Sequence, residues 1–381
     1  MKRFVKPIIS LTIFVLCLLV AELFLSLFAP VPDPYRIYKY GPTNQYVRSD
    51  FPVNFHVVTE IDDAIPGLEG RHNFTTNNMG FRGDYLAIPK PANEFRIFMV
   101  GGSTTECFYL DDTQAISAVI QNEMQKHANG QTIKVYNAGR SGDASDDHVS
   151  LIVHRIVHLQ PDMIIVFSGI NDLTRSIYNH DYLHYIQEGE KTKHPIWRSL
   201  ATEFQIPRRI FFLAKRISPT NQDLLQNIPL KYDYRALREL NKSTPISDQR
   251  PKTNVTAYAN NLETIVGVTR AHNIQLIFMT QQTTWNSLVD PEAKKWHSML
   301  WRNGIRYRED LMDEALESLN DGMRRLADKH SIPLYDLARG MPKSTEYFFD
   351  EVHFNVKGAY VAGVELASFI LEKAQVQKKE K

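Results

Sequence analysis

The sequence predicts an α/β fold: a five-stranded parallel sheet with helices on both faces, a three-layer α/β/α sandwich, preceded by an N-terminal transmembrane helix. Three observations predict it. From Phe95 onward, short β-rich runs alternate with amphipathic helical stretches, the pattern of a parallel sheet covered on both faces. Several of the runs end in Gly, Ser or Asn, and in such sheets ligands bind outside the carboxyl ends of the strands. One apolar run, from Pro7 to Ala29, stands apart at the start of the chain.

Composition narrows the class. The 381 residues carry 44 Lys plus Arg and 43 Asp plus Glu, a formal net charge of +1. A protein that coats nucleic acid would normally show a basic surplus. Hydrophobic residues at 43% and charged residues at 23% are ordinary globular usage and exclude disorder, collagen and a polytopic membrane protein. Only Cys17 and Cys107 are present; they are not expected to pair, and disulfide scaffolds and cysteine-rich zinc sites are excluded.

The apolar run is about 23 residues, or roughly 34 Å as a helix, enough to cross a bilayer. Lys2, Arg3 and Lys6 precede it and Pro30-Val31-Pro32 ends it. The flanking charges place the N-terminus in the cytoplasm and the rest outside, periplasmic or extracytoplasmic. A cleaved signal peptide competes with this reading. The length of the run and the lack of a small-x-small site before Pro30 favour a single-pass anchor over residues 1–30. Glu22 is its odd residue; a position near the outer interface, reaching water, is expected rather than helix association.

Residues 31–93 are rich in Pro, Asn and aromatics, and read as a lead-in with irregular or short β structure. Thr76 to Gly83 has turn chemistry. The first sheet strand is Phe95 to Val100, ending in Gly101-Gly102-Ser103. A helix follows with Ile116, Val119, Ile120 and Met124 on one face and Gly130 as its stop. The second strand, Ile133 to Tyr136, ends in Asn137-Ala138-Gly139. A helix near 144–159 leads to the third strand, Met163 to Phe167, ending in Ser168-Gly169-Ile170-Asn171-Asp172. A helix near 258–271 precedes the fourth strand, Ile274 to Met279. A helix with Met312, Ala315, Leu316, Leu319, Met323 and Leu326 on one face precedes the fifth, Ile332 to Leu337. A last helix covers about 357–373, and 376–381 form a basic tail.

The main domain is thus expected over 94–375, interrupted by an insertion at about 176–257 with no clear strand. Within it, residues 197–218 read as helical apart from a break at Pro207. Arg208, Arg209, Lys215 and Arg216 beside Ile210, Phe211, Phe212 and Leu213 suit either a membrane surface or a cap over the sheet edge; the cap is expected.

Serine chemistry needs a nucleophile, a base and donors for an oxyanion. Strand ends can supply all three: Ser103 behind two glycines, Gly139, Asn171 behind Gly169, and Asp350 and His353 after the fifth strand. Gly101-Gly102-Ser103-Thr104-Thr105, Asn137-Ala138-Gly139, Gly169-Ile170-Asn171-Asp172 and Asp350-Glu351-Val352-His353, with Asn355 and Gly358 after it, occur in this order. In these blocks the chain resembles the SGNH (GDSL-type) hydrolase superfamily over about residues 94–375. The resemblance implies a flavodoxin-like sheet, with Ser103 as nucleophile, His353 as general base and then acid, and Asp350 supporting the imidazolium. It implies an oxyanion hole from the backbone amides of Ser103 and Gly139 and the side chain of Asn171. Gly102 departs from the pattern, standing where many members carry Asp. The Gly-Gly-Ser-Thr-Thr variant resembles a membrane-anchored bacterial branch.

The expected activity is a membrane-anchored serine esterase acting on acyl esters, including O-acetyl groups of cell-envelope or exported glycans, with no cofactor and no metal. An O-acyltransferase using the same site is the second reading, and a non-catalytic glycan-binding or assembly protein the third. Asp181-Tyr182-Leu183-His184 mimics the last block but lacks a preceding fifth strand, and Gly142-Asp143-Ala144-Ser145 is a near-miss of the first. His154 and His158 are spaced i, i+4 as metal ligands can be, but no Glu accompanies them. His148 is expected at the solvent and Cys107 in loop packing. Asn73, Asn241 and Asn254 begin glycosylation sequons, which arise often by chance.

Overall fold

The computed structural model describes residues 2–31, 53–61, 65–68, 70–177, 200, 203–215, 245–286, 288, 291–297, 301–302 and 305–373. The chain divides into two compact units: Met1–Gly41 with Glu190–Ile228, and Pro42–Gly189 with Pro229–Lys381.

In the first unit, helix α1 (Lys2–Phe28) contains one stretch, Ile9–Phe28, long and apolar enough to cross a membrane, with a mean hydropathy of 2.6. An anchor and a signal sequence share this property. The unit also holds an amphipathic helix, Gln205–Lys215. Pro207 does not break that helix, as the sequence suggested, but lies in its first turn. No intrahelical N–H is needed there, so proline is tolerated. Glu22 does not simply face water: its carboxylate accepts the backbone N–H groups of Gln205 and Ile206.

The second unit opens with an antiparallel pair, β1 (His56–Ile61) and β2 (Gly70–Thr75). The sheet strands are β3 (Glu94–Gly101), β4 (Thr132–Asn137), β5 (Met163–Phe167), β6 (Gln275–Met279) and β7 (Leu334–Tyr335). All neighbours are parallel, and the order is β7-β6-β5-β3-β4. The expected five strands are all present, though the fifth is reduced to two residues. The helices between them are α2 (Ser103–Glu106), α3 (Ile116–Gln125), α4 (Ser145–His154), α5 (Ile170–Ile177), the amphipathic helix above as α6, then α7 (Val255–Ala271), α8 (Glu309–His330) and α9 (Val356–Lys373). A small sheet pairs Ile246–Ser247 with Ile305–Tyr307 and the latter with Trp301–Arg302, so the interrupting segment does hold a short strand.

Alternation along the strands builds two cores, as it must when successive side chains point to opposite faces. Phe98, Val100, Ile164, Val166 and Phe278 pack under α4, α5, α7 and α8. Ile97, Met99, Ile165, Phe167 and Ile277 pack under α3 and α9. The expected helical stripes, Ile116, Val119, Ile120 and Met124 in α3 and the six residues of α8, are all buried.

The register brings the strand ends to one edge. Gly101 is paired with Phe167 and Phe167 with Met279, while Asn137 is opposite Met99. The loops that follow these strands therefore open side by side. The segment before β3 joins this edge: Arg82 and Asn137 exchange both backbone hydrogen bonds, at 3.0 and 2.8 Å. Phe81 and Leu86 from that segment are fully buried in the core.

Two further expectations fail. The helix expected over 144–159 ends at His154, because Arg155 leaves the helical region at φ −134°. His158 lies in a separate 3₁₀ turn, Ile156–Leu159, so His154 and His158 do not share a helix face. His148 is wholly buried rather than solvent-exposed, and burial lowers its pKa to about 4. The Asp181–His184 mimic and the tail from 376 lie outside the described residues.

Candidate active site

Ser103 is the first residue of α2, immediately beyond β3. The turn into it is tight enough to need Gly101. A Cβ on Gly101 would collide with Thr105 and the Phe167 carbonyl, and one on Gly102 would sit 2.5 Å from Asn171 Nδ2. The glycine that departs from the Gly-Asp-Ser pattern therefore leaves the space that the Asn171 amide occupies. Helix α2 ends after one turn at Cys107, in the left-handed region at φ 52°.

Three of the residues singled out from sequence meet here across 250 positions of chain. Ser103 Oγ lies 2.8 Å from His353 Nε2. His353 Nδ1 lies 2.7 Å from Asp350 Oδ2. The other Asp350 oxygen accepts the backbone N–H groups of Val352 at 2.9 Å and His353 at 2.7 Å, which fixes the carboxylate beneath the ring. Phe349 stacks on the imidazole at 5.4 Å and 11° between planes. Asp350 is buried, while His353 keeps 22% of its side-chain surface exposed at the mouth of the site.

The electrostatics follow from this packing. Burial opposes charge on His353, but the Asp350 carboxylate and its hydrogen bond outweigh that, and the imidazole pKa lies above the ordinary histidine value. Burial likewise opposes charge on Asp350, and His353 with the two backbone donors holds its pKa below the usual range. A hydroxyl bonded to an imidazole that is bonded in turn to a fixed carboxylate can pass a proton from the hydroxyl to the ring.

The expected oxyanion donors line the same edge. Asn171 Nδ2 donates one hydrogen to the Asp143 carbonyl at 2.8 Å, and a primary amide has a second. The Ser103 N–H belongs to the first turn of α2, where the helix supplies no acceptor. The Gly139 N–H donates to Asn137 Oδ1 at 2.9 Å, so this donor is already engaged. Gly139 itself is packed so closely on α2 that a Cβ there would collide with the Glu106 backbone nitrogen.

Beside Ser103 and His353 opens a cavity of about 200 Å³. Phe108, Tyr109, Leu110, Phe349 and Phe354 give it apolar walls, and Ser141 stands at its edge. Cys107 lines it too, as part of the packed loop. Among the described residues, no three His, Cys, Asp or Glu side chains group as a metal site.

Sequence reasoning missed the residues that support the site. Arg82 is 3% exposed and donates to the carbonyls of Glu106 at 3.0 Å, Cys107 at 2.7 Å and Leu110 at 2.5 Å, and to Asp112 at 2.7 Å. It thereby fastens the loop that leaves α2. Arg140 bridges the Gly139 and Gly80 carbonyls at 2.7 and 2.6 Å. Glu106 is buried and accepts the Ser141 hydroxyl; burial pushes its pKa up to about 6, against that hydrogen bond and the charges of Arg140 and Arg82. The only sequence signal for this set was the turn Thr76 to Gly83, with Arg82 between Gly80 and Gly83.

Solved structures similar to this chain include an acetylxylan esterase from Geobacillus stearothermophilus, at 13% identity, covering 73% of this chain and 93% of that one with a TM-score of 0.40. A GDSL-like lipase from Bacteroides thetaiotaomicron is similar at 13% identity, covering 75% and 93% with a TM-score of 0.39. An α/β hydrolase from the metagenome of Lake Arreo, Spain, is similar at 14% identity, covering 72% and 94% with a TM-score of 0.41. No curated protein sequence matches. The sequence model of one family runs from residue 99 in β3 to residue 361 in α9, enclosing Ser103, Gly139, Asn171, Asp350 and His353 together. By that match the chain is a serine ester hydrolase, a member of the GDSL-like lipase/acylhydrolase family.

Proposed function

We propose that the chain is a membrane-anchored esterase that cleaves acyl esters outside the cytoplasm through an acyl-enzyme on Ser103. The continuous hydrogen-bonded line Ser103–His353–Asp350 carries the reading. His353 takes the Ser103 proton as the oxygen attacks the ester carbonyl, and Asp350 supports the imidazolium. The carbonyl oxygen, now negative, is met by the Ser103 N–H and the second Asn171 hydrogen, with Gly139 contributing where its N–H is shared with Asn137. His353 then protonates the departing alcohol. Water enters, loses its proton to His353, and attacks the acyl group, which leaves as the acid while Ser103 is restored.

The apolar cavity beside Ser103 supports an acyl group as the part of the substrate held there, O-acetyl groups of envelope or exported glycans among them. The helix α1, with Lys2, Arg3 and Lys6 before it, supports an uncleaved anchor with its N-terminus in the cytoplasm. Within the chain we assign 1–30 to the anchor, 31–93 to the lead-in, and 94–375 to the hydrolase domain with its insertion at 176–257.

A fluorophosphonate probe tests the reading without a known substrate. The full chain should label on Ser103, and Ser103→Ala should abolish labelling and cut p-nitrophenyl ester hydrolysis by about 10⁴-fold with the fold kept. A well-folded chain that does not label, or a Ser103→Ala enzyme of undiminished rate, overturns it.

A further inference from the structure

Glu22 lies six residues before the end of α1 at Phe28, which at 1.5 Å per residue is about 9 Å below that end. Its carboxylate accepts the backbone N–H groups of Gln205 and Ile206, the second at 2.9 Å. These are the first two residues of α6, and a helix leaves its first four donors without internal partners. In hydrocarbon an unpaired carboxylate and an unpaired helix start are each costly. Here each is the partner of the other, with the positive end of the helix dipole facing the negative group.

More bonds fasten the same turn. Gln205 Oε1 accepts the Val31 N–H at 2.7 Å, Arg208 donates to the Val31 carbonyl at 3.0 Å, and Arg209 donates to the Ala29 carbonyl. The start of α6 is thus tied along the last two turns of α1 and just beyond. Further on, Ile206, Ile210 and Leu213 follow the i, i+4, i+7 spacing of one helix face. Ile210 is 61% exposed and Leu213 79%.

We propose that α6 is an interfacial helix seated in the outer leaflet of the bilayer, with Glu22 as the socket for its start. The proposal rests on the reading of α1 as an uncleaved membrane span. Depth is the main argument for lipid over another occupant: interfacial helices sink their apolar face about 5–10 Å into the boundary of headgroups and acyl chains, and the socket is about 9 Å below the end of the span. The two arginines reach the carbonyls of Ala29 and Val31 just beyond α1.

The test uses the full chain in phosphatidylcholine–phosphatidylglycerol vesicles. An environment-sensitive fluorophore is placed on Leu213→Cys in a Cys17→Ser, Cys107→Ala background, since Cys107 lines the cavity beside Ser103. A second sample, likewise Cys107→Ala, carries the fluorophore on native Cys17, about 16 Å below Phe28 and so near the bilayer centre. Lipids with a nitroxide high on the acyl chain should quench the position-213 probe at least about twofold more than lipids with it near the chain end. The Cys17 probe should show the reverse preference. Glu22→Ala should roughly halve quenching at 213, and Glu22→Gln, which keeps one acceptor, should retain more of it. Quenching at Cys17 without quenching at 213 overturns the interfacial helix and leaves the anchor standing. Quenching at neither site overturns both. Quenching at 213 that ignores Glu22→Ala removes Glu22 as the socket.

Discussion

His353 sits between two opposing influences, and the balance sets how the enzyme should respond to acid. Burial favours the neutral ring; the Asp350 carboxylate favours the charged one and wins, so the pKa is raised above the ordinary value. Only the neutral ring can accept the Ser103 proton, so kcat/KM should fall as pH drops through that raised pKa. Asp350→Asn removes the main influence that opposes burial, leaving the weaker pull of the Glu351 and Glu106 charges. A pH profile of the variant should show its acid limb shifted to lower pH, with turnover down by about 10⁴-fold. Glu106 gives a prediction on stability. Its pKa is about 6 in the fold against 4.5 for an ordinary glutamate. The folded chain therefore binds the proton more tightly, and stability from this group is present below pH 4.5 and declines as pH rises through 6, by about 2 kcal/mol in all. Glu106→Gln should flatten that slope, and thermal melts at pH 4.5 and 7.5 would read it. If Asn171 serves the oxyanion as proposed, Asn171→Ala should cost about 10²–10³ in turnover with little change in melting.

The short helix α2 is held at its far end by Arg82, a residue from outside the region that the family model matches. Arg82→Ala would take the guanidinium from the carbonyls of Glu106, Cys107 and Leu110 and from Asp112, leaving the Cys107 carbonyl only the Leu110 N–H and Asp112 only Thr75, so stability should fall by about 3 kcal/mol. Turnover should fall with it, because the loop after Ser103 loses its fastening. Arg82→Lys should recover only part of both, since an ammonium cannot span those acceptors as a planar fork does; denaturant melts and ester turnover measured side by side would show it. The same scale explains what could be read from sequence. The strands were legible because runs such as Met163–Phe167 are apolar throughout and bounded by turn residues. Ser103, Asn171, Asp350 and His353 were legible because each lies in a short block behind a strand end. Arg82, Arg140 and Glu106 were not, because a charged residue reads as surface until its partners, 20 to 60 positions away, are folded around it. His148 was misjudged for the same reason. The 3₁₀ turn after α4 was invisible because Ile156 and Leu159 continue the apolar spacing while the backbone does not continue the helix.

For the whole molecule, one compact unit holds the long apolar helix α1 with α6 attached, and the other holds the sheet whose strand ends carry the site. From Pro42 onward the lead-in belongs to the second: Phe81 and Leu86 are in its core, and Arg82 pairs with Asn137 at its edge. A chain begun at Glu94 would expose that core surface and lose the fastening of α2. It should fail to melt cooperatively, whereas one begun at Pro42 should keep a single transition on a calorimetric scan.

The hydrogen bond between Ser103 and His353 closes a loop of 250 residues, and this separation puts a clock on the enzyme. Ribosomes add about 5–20 residues per second, so the imidazole is made roughly 12 to 50 seconds after the serine it must activate. Through that interval the growing chain carries a hydroxyl with no base beside it. If Ser103 and His353 act as proposed, hydrolysis starts only once the last block has emerged and α9 has folded against α3, and until then the nascent chain is an inert polypeptide.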